Sequence, residues 1–389
     1  MNNETRKETQ VLPKDVRYVG ADDLTLPLFE NQYPVQPMGV SYNSYLILDE
    51  KIAVMDSVDA RAADEWLAKL AHELDGRSPD YLVISHMEPD HSGSILRLAE
   101  KYQEMKLVGN TKTFTMLRQF FGAKAPTDDR LLEVGEGETL PLGAHTLHFM
   151  LAPMVHWPEV MVAYEETEKI LFSADAFGRF GSLGRTANAP WAPQARRYYY
   201  NIVGKYGAQV QALLKKASAL EIETICPLHG PVLTGEALGE ALRLYDLWSR
   251  WQSESPDDIL LAHASIHGNT ARAAELLKQK LEVKGARVTL CDLTTTEVSY
   301  AVANAFYCGK LVLACSTYDG GLFPPMEEFL SHLQAKGFRD RSVGLMENGS
   351  KLEEMKDLRV CGTVVSLRSA LGPANEAQME ALSAELCAK

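Results

Sequence analysis

Between residues 259 and 346 short apolar runs alternate with helical stretches at a nearly constant interval, and this rhythm leaves few folds open. Strands are read at 259–264, 287–291, 310–315 and 342–346, with helices at 271–284, 298–308 and 325–336 between them. Strands separated by helices of that length cannot pair as hairpins, so they form a doubly wound parallel sheet. The rhythm starts after the polar run Ser253-Glu254-Ser255-Pro256-Asp257-Asp258, which ends a helical pattern over 235–252. A chain of 389 residues also exceeds what one core usually sustains. Two domains are expected, residues 1–253 and 254–389.

The first domain mixes strand and helix less regularly. Apolar runs at 45–48, 52–56, 81–85, 107–109, 140–150, 160–164 and 170–173 read as strands, with helices at 60–74, 93–102 and 113–121. The pattern suggests two sheets flanked by helices.

One segment of this domain is dense in metal-binding side chains. Ser85-His86-Met87-Glu88-Pro89-Asp90-His91 leaves the end of a buried strand, and a loop there turns alternate side chains into one pocket. His86 and Glu88 would then serve one metal, and Asp90 and His91 a second. A solvated polar turn is the plainer alternative for a lone His-x-Glu, but the full string is unusual. Downstream, His156 ends a strand in Pro153-Met154-Val155-His156, Asp175 follows Leu171-Phe172-Ser173, and His229 follows Ile225-Cys226-Pro227-Leu228. Each alone reads as a loop or core polar group.

Together these seven residues resemble, in order and spacing, the ligand pattern of the metallo-β-lactamase-like fold, an αββα sandwich. In that pattern Asp175 takes the place of the carboxylate shared by both metals. Zinc hydrolases of that superfamily usually carry His where Glu88 stands, whereas an added carboxylate suits a redox-cycling iron pair. The chain is therefore similar to the flavodiiron, or A-type flavoprotein, family over nearly its whole length. The resemblance implies two iron ions, with His86, Glu88 and His156 on one, Asp90, His91 and His229 on the other, and Asp175 between them. Trp157 and the run Arg196-Arg197-Tyr198-Tyr199-Tyr200-Asn201 match family segments near the irons, with core packing and an amphipathic helix as equal alternatives. Many relatives also carry a His in an N-terminal loop where this chain has Leu28-Phe29-Glu30-Asn31-Gln32-Tyr33.

In the second domain, Ser265-Ile266-His267-Gly268-Asn269-Thr270 joins the first strand to the first helix and offers hydroxyls and backbone N–H groups to a phosphate. It resembles the flavodoxin phosphate loop. Ser316-Thr317-Tyr318-Asp319-Gly320-Gly321 follows the third strand, and Glu347-Asn348-Gly349-Ser350 the fourth. In a flavodoxin-like sheet these loops flank the ligand, and FMN is expected because no second nucleotide-binding fingerprint is present. Glu347 and Lys351 depart from many relatives.

A flavin joined to a metal pair fits an oxidoreductase that reduces dioxygen to water, nitric oxide to nitrous oxide, or both. No Cys-x-x-Cys pair is present, so an external donor, rubredoxin-like or other, is expected. The resemblance implies a head-to-tail homodimer or a dimer of dimers. A dizinc hydrolase would leave the second domain unused, and a pure electron-transfer flavoprotein would leave the seven ordered ligands unexplained. A net charge of -13 without a basic run argues against nucleic acid, and no stretch of about 18 apolar residues argues for a membrane span. The polar N-terminus and six unpaired cysteines make the cytoplasm the expected location.

Overall fold

The computed structural model describes residues 12–346, 355–367 and 371–388, and the chain divides into two compact units. The first contains two six-stranded sheets. In one, Val16–Tyr18, Tyr45–Ile47 and Ala53–Met55 are antiparallel neighbours, followed by Tyr81–Val83, Lys106–Gly109 and Leu131–Glu133 in parallel. In the other, Thr139–Pro141, Thr146–Leu151, Met161–Glu165 and Ile170–Phe172 form an antiparallel meander, continued by Thr224–Cys226 and Leu233–Thr234. The apolar run read as one strand at 140–150 is a hairpin, because Gly143 at φ 136° turns it. The sheets share a core of Tyr45, Ile47, Met55, Val83, Val108, Phe149, Met161, Ala163 and Phe172. Alternate residues on the other face of the first sheet, Leu46, Val54, Leu82 and Leu107, are also fully buried. Their burial fits a sheet covered on both sides, which explains apolar runs without a polar alternation. This is the αββα arrangement expected.

The second unit holds five parallel strands in the order Val288–Asp292, Ser255–Ala264, Cys308–Cys315, Ser342–Met346, Arg359–Val364. Numbered along the chain this is 2-1-3-4-5, the flavodoxin-like order. One face packs Ile259, Leu261, Val312 and Met346 against Leu277 and Leu281 of helix Asn269–Val283 and Met379, Leu382 and Leu386 of helix Pro373–Cys387. Helices Val298–Tyr307 and Pro324–Ala335 contact the sheet as well.

The polar run at 253–258 is not a linker. Strand Ser255–Ala264 begins inside it, and the approach of the Pro256 carbonyl to Gly309 leaves no room for a side chain at that glycine. The second unit takes the chain from Leu247 onward and also Tyr200–Gly207. Aromatic packing explains both additions: the Tyr200 ring stacks on Phe306 at 3.9 Å and lies 6.1 Å from Trp248. Among the described residues no helix is long and apolar enough to cross a membrane.

Candidate metal centre and flavin loops

Asp56 shapes the loop that leaves strand Tyr81–Val83. Its Oδ1 accepts the Ser85 amide at 2.7 Å and the His86 amide at 3.3 Å, bending the chain as the strand ends. Glu88 then caps a one-turn helix, Pro89–Ser92, with proline in its first turn. Asp90 and His91 therefore lie on a helical turn rather than on an extended loop, and the turn, not an alternation of side chains, aims them away from His86 and Glu88. Ser57 Oγ donates to the His91 carbonyl and Ser92 Oγ to the Met87 carbonyl, fixing the turn from both sides.

His156 stands in the turn between strands Thr146–Leu151 and Met161–Glu165, several residues beyond the strand end. Asp175 follows strand Ile170–Phe172, and His229 follows Thr224–Cys226. The His229 loop is held by Asn43, whose Nδ2 donates to the carbonyls of Pro227 and Gly230, each at 2.8 Å.

The seven side chains converge as two adjoining sets, His86–Glu88–His156–Asp175 and Asp90–His91–His229. His86 Nε2 lies 3.2 Å from Glu88 Oε2 and 3.7 Å from Asp175 Oδ2, and His156 Nε2 lies 3.2 and 3.1 Å from the same two oxygens. In the other set His91 Nε2 is 3.2 Å from Asp175 Oδ1, while His229 Nε2 is 3.2 Å from Asp90 Oδ2 and 3.0 Å from His91 Nε2. Asp175 thus turns Oδ2 to one set and Oδ1 to the other. Tyr198 donates its hydroxyl to Asp175 Oδ2 at 2.9 Å.

His86, His91, Asp175, Tyr198 and His229 are essentially excluded from solvent. Burial alone would raise Asp175 and Glu88 and lower the imidazoles. Mutual attraction prevails: His86 and His91 pull Asp175 well below its ordinary range, and His156 and His86 depress Glu88. His156 is correspondingly raised to about 9, against the effect of burial, by its bonds to Asp175 and Glu88. Three carboxylates so arranged, Asp175 buried and Glu88 and Asp90 largely so, call for positive charge between them. Both oxygens of Asp90 and Oδ1 of Asp175 are buried without a hydrogen-bond partner among the described residues, and His229 donates Nδ1 to the Ser41 carbonyl at 2.7 Å, which leaves its Nε2 an acceptor. Unpartnered carboxylate oxygens and bare imidazole nitrogens at one point fit cations.

Trp157 belongs to this site, its ring edge-on to His86 at 5.3 Å. Within the run 196–201, Tyr198 bonds Asp175 of the cluster. Arg197 donates to the Pro34 carbonyl and lies over Phe180, while Asn201 bonds the Ser299 carbonyl in the second unit. Glu30 sits at a hairpin tip with φ 50°, next to Phe29, whose ring is 5.2 Å from that of His229. Crowding by protein and repulsion from Glu88, Asp90 and Asp175 raise its carboxyl to about 7. Sequence reasoning missed Asp56 and Glu159, a buried carboxylate on His86; neither lies in a ligand motif, and an acidic residue at the edge of a strand is too common a signal.

In the second unit, Ser316 joins two of the three expected loops. Its Oγ lies 2.9 Å from Thr270 Oγ1 and accepts the Ile266 amide at 3.4 Å. Ser265 Oγ accepts the Gly268 amide at 3.0 Å, and Gly268, at φ 87°, starts helix Asn269–Val283 in a conformation that favours glycine. Thr317–Tyr318 and Gly321–Leu322 form a small hairpin turned by Asp319 and Gly320. Ile266 and Tyr318 are exposed apolar side chains at the carboxyl ends of neighbouring strands. Glu347, Asn348, Gly349, Ser350 and Lys351 lie outside the described residues.

Residues 40–230 match the family model described as ODP family beta lactamase. The chain is 29% identical over 336 residues to rubredoxin-oxygen oxidoreductase of Megalodesulfovibrio gigas, covering 83% of this chain and 81% of that one. It is 27% identical over 342 residues to anaerobic nitric oxide reductase flavorubredoxin of Vibrio vulnificus, covering 85% and 67%. The crystal structure of the flavodiiron protein from Giardia intestinalis superposes with a TM-score of 0.87 at 25% identity, covering 97% of this chain and 95% of that one. With the fold, the paired ligand sets and these relatives in agreement, the chain belongs to the flavodiiron protein family.

Proposed function

We propose that the protein is a flavodiiron oxidoreductase that reduces dioxygen to water, nitric oxide to nitrous oxide, or both, with electrons passing from an external donor through FMN to two irons. The observation that carries this reading is the pair of His/carboxylate sets divided by Asp175 on a chain that also carries a flavodoxin-like unit. His86, Glu88 and His156 would hold one iron and Asp90, His91 and His229 the other, with one oxygen of Asp175 on each. Two ferrous ions and a reduced flavin together supply four electrons, the number that takes dioxygen to two waters.

The chain's own residues supply the setting for that transfer. Asp175 keeps the two sets in register, and the Tyr198 hydroxyl holds Oδ2 in place while retaining its proton, because burial and the nearby carboxylates raise the phenol far above its ordinary value. Burial of the imidazoles excludes bulk water and strengthens each charge–charge interaction. Ser265, Ile266, His267, Gly268, Asn269 and Thr270 would cradle the FMN phosphate. Ser316, Thr317, Tyr318, Asp319, Gly320 and Gly321 would flank the ring.

A rubredoxin-like donor, head-to-tail assembly as a homodimer or dimer of dimers, and a cytoplasmic location complete the proposal. The donor draws support from the name of the Megalodesulfovibrio gigas relative, and the location from six unpaired cysteines. Metal and flavin analysis of the purified chain tests the core of the reading. About two irons and one FMN per chain are expected; two zincs and no flavin would point to a hydrolase instead, and flavin without metal to an electron carrier.

A further inference from the structure

Glu159 has no part in the roles above, yet it is completely buried against the metal cluster. Its Oε1 lies 2.8 Å from His86 Nδ1 and accepts the Met87 amide at 2.8 Å, while Oε2 has no hydrogen-bond partner among the described residues. A carboxylate withdrawn from water this way is costly unless a charged or strongly polar donor faces it. The residue is also tethered through its backbone. Its carbonyl accepts from Asn110 Nδ2 at 2.6 Å, and Asn110 Oδ1 caps helix Thr111–Phe121 by accepting the Lys112 and Thr113 amides. The carboxylate is therefore held at His86 from two directions.

The contact is directional. An Nδ1–H donating to Glu159 leaves Nε2 without a proton, and Nε2 is the nitrogen that faces Glu88 and Asp175. The second set is backed differently: His229 donates Nδ1 to a backbone carbonyl, and Nδ1 of His91 has no partner among the described residues. Only the first set, among the described residues, has a carboxylate behind an imidazole. A carboxylate partner raises the basicity of the imidazole it orients far more than a neutral carbonyl does.

We propose that Glu159 is the positioning residue of the first set: it fixes the tautomer and ring direction of His86 and makes its Nε2 the stronger donor, so that the two metals are held unequally. This rests on reading the cluster as a dimetal site. Glu159→Gln keeps the volume and an oxygen able to accept from both His86 and Met87 but removes the charge, while Glu159→Ala removes the acceptor. The full-length chain, loaded with iron, is challenged with a chelator. Metal release is followed by colorimetry, and the two sites are resolved by Mössbauer spectroscopy.

In Glu159→Gln one iron is expected to be retained about 10- to 100-fold more weakly, with the other unchanged, the melting temperature near that of wild type and a higher midpoint potential for the affected iron. Glu159→Ala should lose that iron more readily still. Two irons held equally well by wild type and Glu159→Gln, with unchanged spectra and potential, overturn the proposal. Loss of both irons together with a lowered melting temperature also overturns it, assigning Glu159 to the support of the fold. A wild-type chain that binds no metal refutes the dimetal reading itself, and is recognised before any variant is compared.

Discussion

Asp175 concentrates the chemistry of the cluster in one side chain. Its Oδ2 is within 3.1 Å of His156 and its Oδ1 within 3.2 Å of His91, so each set depends on a different oxygen. Asp175→Ala removes charge from both at once and leaves the Tyr198 hydroxyl buried without its acceptor. Loss of both metals is expected, exceeding the roughly 10- to 100-fold that loss of an outer partner costs, and metal analysis after gel filtration reads it. A variant keeping two irons and full turnover would remove Asp175 from the ligand set. The convergence of these seven residues was legible in the sequence because few needs other than metal binding place His, Glu, Asp and His within six residues. Glu159 and Asp56 were not, since they act through hydrogen bonds whose partners become neighbours only in the fold.

Elements carry predictions of a different kind. The turn after strand Tyr45–Ile47 is clamped to the turn before Thr146–Leu151: Asp49 Oδ2 accepts the His145 amide at 2.7 Å and lies 2.8 Å from its Nδ1. Burial would raise this carboxyl, but the hydrogen bonds to His145, Glu50 and Ala144 bring it down to about 2. A depressed carboxyl stabilises the fold above its unfolded value, near 3.9, and that contribution disappears as pH falls through about 2. The shift corresponds to about 2.6 kcal/mol, and screening near the surface reduces it to roughly 1 kcal/mol. Asp49→Asn should lower stability by that amount at neutral pH and by progressively less below pH ~4. Chemical unfolding of the metal-free protein across that range checks it, and a pH-independent difference would contradict the assignment.

At the start of helix Asn269–Val283, a side chain on Gly268 would meet open space, so Gly268→Ala tests backbone strain alone. At φ 87° that strain costs about 1–2 kcal/mol. FMN affinity, read by fluorescence quenching, should fall by about 10-fold as the loop shifts, and an unchanged affinity would separate this loop from the flavin. The strands of the second unit were legible because buried parallel strands bounded by helices have a distinctive rhythm. Strand Arg359–Val364 was not, since its partly exposed residues Arg359, Val360, Gly362 and Val364 give no apolar run. The hairpin at Gly143 was read as one strand because apolar residues continue through Leu142.

At the scale of the whole molecule, a metal cluster and a flavodoxin-like unit occur on one chain, and this makes a multi-electron reduction the reading that uses both. Neither unit alone requires it. A dizinc hydrolase would need only the first and an electron carrier only the second, whereas the relatives named for oxygen and nitric oxide reduction share most of the chain with this protein. The second compact unit takes the chain from Leu247 and the segment Tyr200–Gly207, rather than starting at the polar run, for a physical reason. Compactness is decided by aromatic packing, which brings Trp248 and Phe306 to Tyr200, and hydropathy along the chain does not record which ring meets which. The electron balance of the loaded enzyme tests the central claim most directly. With a reduced rubredoxin or an equivalent donor in excess, about four electrons should be consumed per dioxygen, with little peroxide formed. Consumption of two electrons per dioxygen, with hydrogen peroxide as the main product from an enzyme carrying both metals and flavin, would contradict it.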